Sequence, residues 1–110
     1  HPFLDRGIAE WRVQPGCNYQ KYELGQNYKL EHCEQGALEF DCRRMLVWMA
    51  YLNTIKEGGE TCFPQQKIEL KPKQGTIVVW PAAWTHSHYG KSAPNEHKYI
   101  ITGWASHVKL

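Results

Sequence analysis

An all-β domain is what this sequence predicts, on three observations. Short stretches rich in aromatic and β-branched residues recur along the chain. Glycine and proline punctuate them at the places a meander needs. Five Trp and six Tyr in 110 residues suit a compact β core with a lined pocket. The elements follow in order. Asn18 to Leu24 carries Tyr19 and Tyr22, and Asn27 to Glu34 is a second polar-aromatic stretch. Leu46 to Leu52 is apolar throughout and reads as a buried strand. Cys62-Phe63 follows a turn, Ile68 to Leu70 alternates, Thr76 to Trp80 is β-branched and apolar, and Tyr99 to Trp104 closes the series. Turns are expected at Pro15-Gly16, Gly25, Gly58-Gly59, Pro64, Pro72 to Gly75, Pro81 and Pro94-Asn95. Gly36 to Arg44 is the least strand-like segment and is expected as a loop or short helix. With no repeat, low-complexity tract or linker, residues 1–110 read as one sandwich or barrel domain.

Composition excludes several functions. The longest apolar stretch, Met45 to Leu52, falls far short of the roughly 20 residues that span a bilayer, so no membrane partner is expected. A net charge of +2 with scattered Lys and Arg is too weak for a nucleic-acid footprint. No charged leader followed by an apolar stretch opens the chain. His1 stands where an initiator Met would, which leaves room for a native protein that extends upstream. The four cysteines (Cys17, Cys33, Cys42, Cys62) contain no CxxC pair, and thiols in a reducing cytoplasm are the expectation.

Three features carry chemistry. In a strand, His32 and Glu34 of His32-Cys33-Glu34 point to one face, and an imidazole beside a carboxylate suits a divalent metal. In Trp84-Thr85-His86-Ser87-His88, both histidines again share a face if the segment is extended. Two His and one carboxylate make the facial triad of non-haem Fe(II) oxygenases, although a zinc site with one open position uses the same donors. Lys98 opens a strand, and pointed into an aromatic interior it would need an anionic partner.

The ordered set of motifs resembles the prolyl 4-hydroxylase-like branch of the Fe(II)/2-oxoglutarate dioxygenases. The resemblance runs from about Tyr19 to Ala105, so that the catalytic core is expected at about 19–105. It takes in Tyr22-Glu-Leu-Gly25-Gln-Asn-Tyr28, His32-Cys-Glu34, Tyr51-Leu-Asn53 and Glu57-Gly-Gly-Glu-Thr61-Cys-Phe63-Pro64. Leu70-Lys-Pro-Lys-Gln-Gly75, Trp80-Pro81, the histidine pair, Lys98-Tyr99 and Trp104 complete it.

This resemblance implies a double-stranded β-helix (jelly-roll) whose mouth holds Fe(II), with truncated N-terminal flanking elements. By the same resemblance His32 and Glu34 take the His-x-acid positions, and Lys98 meets the far carboxylate of the cosubstrate 2-oxoglutarate. Tyr22 and Thr61 fall where hydroxyls lie near that carboxylate, and Trp104 where a Trp lines the pocket. For the distal histidine, His86 matches the count forward from Pro81. His88 matches the count back from Lys98 and the His-x-Gly pattern ending at Gly90. The expectation is His86 as ligand, with His88 as the alternative and otherwise beside the cosubstrate. Two departures stand out: Glu34 replaces the usual Asp, and three residues rather than two separate Tyr28 from His32. The implied activity uses dioxygen to convert 2-oxoglutarate to succinate and CO2 while hydroxylating an unactivated C–H of a peptide or small molecule. Rival readings are a zinc hydrolase or isomerase on the same donors and a non-catalytic jelly-roll or β-sandwich binding module.

Overall fold

The computed structural model describes residues 10–26, 30–37 and 42–108. Among them the strands are β1 (Trp11–Val13), β2 (Asn18–Tyr22), β3 (Arg44–Tyr51), β4 (Thr61–Phe63), β5 (Ile68–Leu70), β6 (Ile77–Pro81), β7 (Tyr89–Gly90) and β8 (Lys98–His107). A single turn of 3-10 helix, Trp84–His86, precedes β7. All named pairings are antiparallel. The larger sheet runs β1-β8-β3-β6, and β2 shares the outer edge of β8 with β1. There β1 pairs with Ala105 to His107, and β2 with Lys98 to Thr102. The smaller sheet runs β5-β4-β7. The two sheets face each other over one core, the double-stranded β-helix that the resemblance implies.

Strand alternation builds that core. Val47, Met49 and Tyr51 of β3 are buried at every second position and meet Ile100 of β8, Phe63 of β4 and Trp80 of β6. The Phe63 ring stands edge-on to Trp80, with centroids 5.2 Å apart. Full burial of an aliphatic or Phe side chain contributes roughly 1.5–3 kcal/mol, so these few residues tie the sheets together. Gly58 and Gly59 make the turn that delivers β4 against β3. Both have positive φ, and a Cβ on Gly58 would run into the Ser92 carbonyl oxygen. On the outer face of the larger sheet, the Trp48 ring lies directly over Gly103 and leaves no room for a Cβ there.

The sequence expectation needs correcting in places. The stretch Asn27 to Glu34 is not a strand where it is described: residues 30–34 make one isolated bridge, His32 with His88. Its polar residues and exposed Leu30 supply no apolar face to hold a longer ladder. Tyr28 lies outside the described residues, as do residues 38–41 of the expected loop, and Arg44 already opens β3. β2 stops at Tyr22 rather than Leu24, where a turn begins with Gln26 N–H donating to the Glu23 carbonyl at 3.0 Å. β8 runs three residues beyond Trp104. Among the described residues no helix is long and apolar enough to cross a membrane. No disulfide joins the four cysteines.

Candidate active site

One end of the space between the sheets is built on irregular backbone. His32 and His88 exchange two backbone hydrogen bonds, of 3.0 and 2.8 Å, which set their rings 4.4 Å apart. The chain then turns. The N–H groups of Glu34 and Gln35 both donate to the Ala82 carbonyl, at 3.2 and 3.0 Å. This turn carries the Glu34 carboxylate between the rings, with Oε1 3.2 Å from Nε2 of His32 and 3.2 Å from Nε2 of His88. The donor atoms of the three residues all lie within 4.8 Å of one another.

The remaining ring nitrogens are engaged. Nδ1 of His32 is 2.9 Å from the Leu30 carbonyl, and Nδ1 of His88 is 3.0 Å from that of His86. A carbonyl only accepts, so Nδ1 carries a proton in each, which leaves Nε2 to face the shared centre: with no metal bound it donates to Glu34, and a metal would take the place of that proton. Phe63 and Trp80 wall His88, with ring centroids 5.5 and 5.1 Å away. Electrostatics agree with a site made for a cation. Burial pushes the Glu34 carboxyl up, but hydrogen bonds and charge from His32 and His88 outweigh it and hold the group well below the ordinary carboxylate range. The hydrogen bond to Glu34 raises His32 in return. Two imidazoles and one carboxylate around a common point fit a divalent transition metal such as iron.

The other end is built on regular strands. Lys98 opens β8 opposite Tyr22 of β2 and is 5% exposed. Its Nζ lies 5.5 Å from the centre of the Tyr22 ring and 5.9 Å from that of Tyr51. It has no ion pair or hydrogen bond among the described residues, and burial lowers it to about 8. Thr61, also buried, shares a 2.6 Å hydrogen bond with the Tyr51 hydroxyl. A cavity of about 200 Å³ joins the two ends, reaching from His32, Glu34 and His88 to Thr61 and Lys98. Tyr22 and Trp104 also line it. A desolvated ammonium facing a small cavity is a place for an anion.

The structure therefore brings together the sequence-derived residues with one exchange. His86 lies on the 3-10 turn, with Nδ1 2.9 Å from its neighbour Thr85 Oγ1, and His88 stands beside Glu34 instead. Strand alternation cannot hold across that turn, so the two histidines do not share a face. His86 reaches the centre only through its carbonyl, which orients His88. Tyr51 and Arg44 belong to the site and carry no role in the sequence reading. Alternation from Val47 and Met49 points to Tyr51; nothing in the sequence points to Arg44.

A model for the 2OG-Fe(II) oxygenase superfamily matches residues 17–106. The chain belongs to that superfamily. Among individual members of the 2OG-Fe(II) oxygenases, an Arabidopsis thaliana protein named "Probable prolyl 4-hydroxylase 9" is 24% identical over 132 residues, spanning 93% of this chain and 46% of the relative. The chain thus matches under half of that relative's length. The human prolyl 4-hydroxylase subunit alpha-1 is 38% identical over 37 residues, which are 34% of this chain and 7% of that protein. In three dimensions the chain is similar to the viral collagen prolyl hydroxylase of Paramecium bursaria Chlorella virus-1, solved as a 2OG complex. There the TM-score is 0.78 and identity 26%, covering 98% of this chain and 68% of the other.

Proposed function

We propose that this chain is the core of a 2-oxoglutarate-dependent dioxygenase that hydroxylates an aliphatic C–H, with a prolyl side chain in a peptide as the substrate. The observation that supports it most is the pairing within one cavity: a two-His, one-carboxylate cluster at one end and, at the other, a buried Lys98 with no ion pair or hydrogen bond among the described residues. A zinc hydrolase needs only the first. In this proposal His32, Glu34 and His88 hold Fe(II). Lys98 pairs with the far carboxylate of 2-oxoglutarate, and the hydroxyls of Thr61 and Tyr22 add hydrogen bonds to it.

When bound, iron and cosubstrate supply the oxidation: one oxygen atom of dioxygen enters the C–H bond, the other enters succinate, and CO2 leaves. The chain's own residues orient and exclude. The Nδ1 contacts of His32 and His88 keep both rings turned to the metal. Phe63 and Trp80 seal the side of His88 from water. The tyrosine rings beside Lys98 keep the ammonium desolvated until a carboxylate arrives. The relatives named for prolyl hydroxylation support the choice of a prolyl substrate. The exposed thiol of Cys17 fits a cytoplasmic location.

The test is succinate release from 2-oxoglutarate by the purified chain with Fe(II) under air, with and without proline-rich peptides. Turnover dependent on both iron and cosubstrate, and stimulated by a peptide, is expected. Metal binding without any 2-oxoglutarate binding would overturn the dioxygenase reading.

A further inference from the structure

Glu34 is one methylene longer than the acid usual at its position, so its carboxylate has an extra torsion to restrain. Its two oxygens already differ. Oε1 faces both histidines at 3.2 Å, whereas Oε2 turns away and lies 3.8 Å from Nη1 of Arg44. The same Nη1 donates to the Glu34 backbone carbonyl at 3.2 Å. The Arg44 guanidinium also stacks over the Trp104 ring in the cavity wall, 4.0 Å from its centre. Arginine thus touches the carboxylate, its backbone and the wall of the cavity at once.

Arg44 reaches this place through a defect in the sheet. Position 44 has the parity of Leu46 and Trp48, which point away from the core. Between Arg44 and Leu46 the β3–β8 register shifts: Leu46 pairs with Ala105 and Arg44 with Ser106, leaving Met45 as an extra residue. A bulge of one residue reverses the alternation beyond it. Arg44 therefore falls on the inner face with Val47 and Trp104. The bulge is tied to the Glu34 turn as well. The Met45 carbonyl accepts from Ala82 N–H at 3.0 Å, Ala82 accepts from Glu34 and Gln35, and Gln35 Nε2 donates to the Arg44 carbonyl at 3.2 Å.

We propose that Arg44 is a positioning residue that restrains Glu34 to a single-oxygen contact with the metal, holding Oε2 back. A carboxylate binding through both oxygens would fill a coordination position that cosubstrate or dioxygen needs. The inference rests on the metal-site reading above and adds to it the mode of Glu34 binding.

The experiment loads the full chain anaerobically with Co(II), whose visible absorption reports coordination number, and measures Mn(II) affinity alongside. Arg44→Met should leave Mn(II) binding at least as tight as in the parent, because the freed carboxylate gains a second contact and a neighbouring positive charge is lost. It should also reduce the Co(II) visible intensity as Glu34 adds its second oxygen. Arg44→Lys keeps a cation near Oε2 and should restore the parent spectrum. Thermal unfolding checks that the variants fold. If Arg44→Met does not fold, Arg44→Gln removes the charge while keeping a donor, and is read the same way. A merely structural arginine would lower the melting temperature and leave the Co(II) spectrum as in the parent, which overturns the proposal. Glu34→Ala separates the two readings. Unchanged metal affinity in Glu34→Ala overturns the metal site itself, whereas loss there with an unchanged Co(II) spectrum in Arg44→Met overturns only the role of Arg44.

Discussion

The end of the cavity proposed for a metal and the end proposed for an anion, the metal end and the anion end for short, differ in how the backbone delivers their side chains. Lys98, Tyr22 and Tyr51 ride on regular paired strands, and simple alternation turns them inward. His32, Glu34 and His88 sit on an isolated bridge, a tight turn and the segment after a 3-10 turn. An ammonium and a carboxylate attract over a range of separations and directions, so strand geometry suffices at the anion end. Three donor atoms must converge on one point, and no single strand can supply that. The charge balance differs too. The metal end is internally compensated, with Glu34 hydrogen-bonded to both histidines, while the anion end holds a cation with no counter-charge in contact among the described residues. One end is built before its ligand arrives; the other is completed by it.

That contrast predicts separable failures. Glu34→Ala should have the largest effect: Fe(II) binding and 2-oxoglutarate turnover fall below detection while the circular dichroism spectrum is kept. Near-normal turnover in this variant would remove the distinction between the ends. Next comes Lys98→Ala. Truncating one partner of a buried charge pair costs roughly 2–5 kcal/mol, so 2-oxoglutarate affinity should drop by about 30-fold or more. Metal affinity should barely move, and calorimetric titration of each ligand in turn checks both halves.

A histidine pair sharpens the metal end. His88→Ala should lose the metal in anaerobic titration, whereas His86→Ala, which keeps the carbonyl that orients His88, should bind within about 3-fold of the parent, RT ln 3 being small beside a ligand bond. Metal loss in His86→Ala alone would mean that the 3-10 turn rearranges on binding.

The smallest effect is one of pH. Burial lowers Lys98 to about 8 in the folded chain, against 10.5 for an ordinary lysine. Between those values the unfolded chain binds the extra proton, so stability rises with pH across that window, by up to about 3 kcal/mol. The slope should vanish in Lys98→Met. Affinity for 2-oxoglutarate runs the other way and weakens above about pH 8, as the ammonium is lost. Denaturant midpoints and binding isotherms from pH 7 to 10 read both signs.

The same contrast explains how much was legible in the sequence. Alternation and turn residues gave β2 to within two residues, β3, β4, β5, β6 and most of β8; the roles of Lys98, Tyr22 and Thr61 at the anion end came from the family resemblance, and Tyr51 was given no role. His32 and Glu34 were legible as a pair although the strand that was to carry them is a single bridge; a bridge and a turn happen to aim both side chains inward. His86 was preferred to His88 on the count forward from Pro81, with any extra residues assigned to the Gly90 to His97 hairpin; the 3-10 turn at Trp84–His86 is invisible to such a count. Arg44 was invisible for a related reason: its parity points outward until Met45 is left out of the count. β7, at two residues, is too short to show a pattern, and the three residues of β1 are largely exposed and give no apolar alternation. Regular structure can be read from a period, while departures from the period decide which atoms meet.

The backbone bridge between His32 and His88 has a further consequence. These residues lie about half the chain apart, so their meeting closes a long loop at an entropic cost that grows with its length. A divalent ion held by both side chains would lock the loop shut. Occupancy of the site and docking of residues 30–35 against the barrel mouth would then be one cooperative event. Protease resistance of that segment would rise and fall with occupancy of the site, making its cleavage rate a gauge of how much of the protein is loaded.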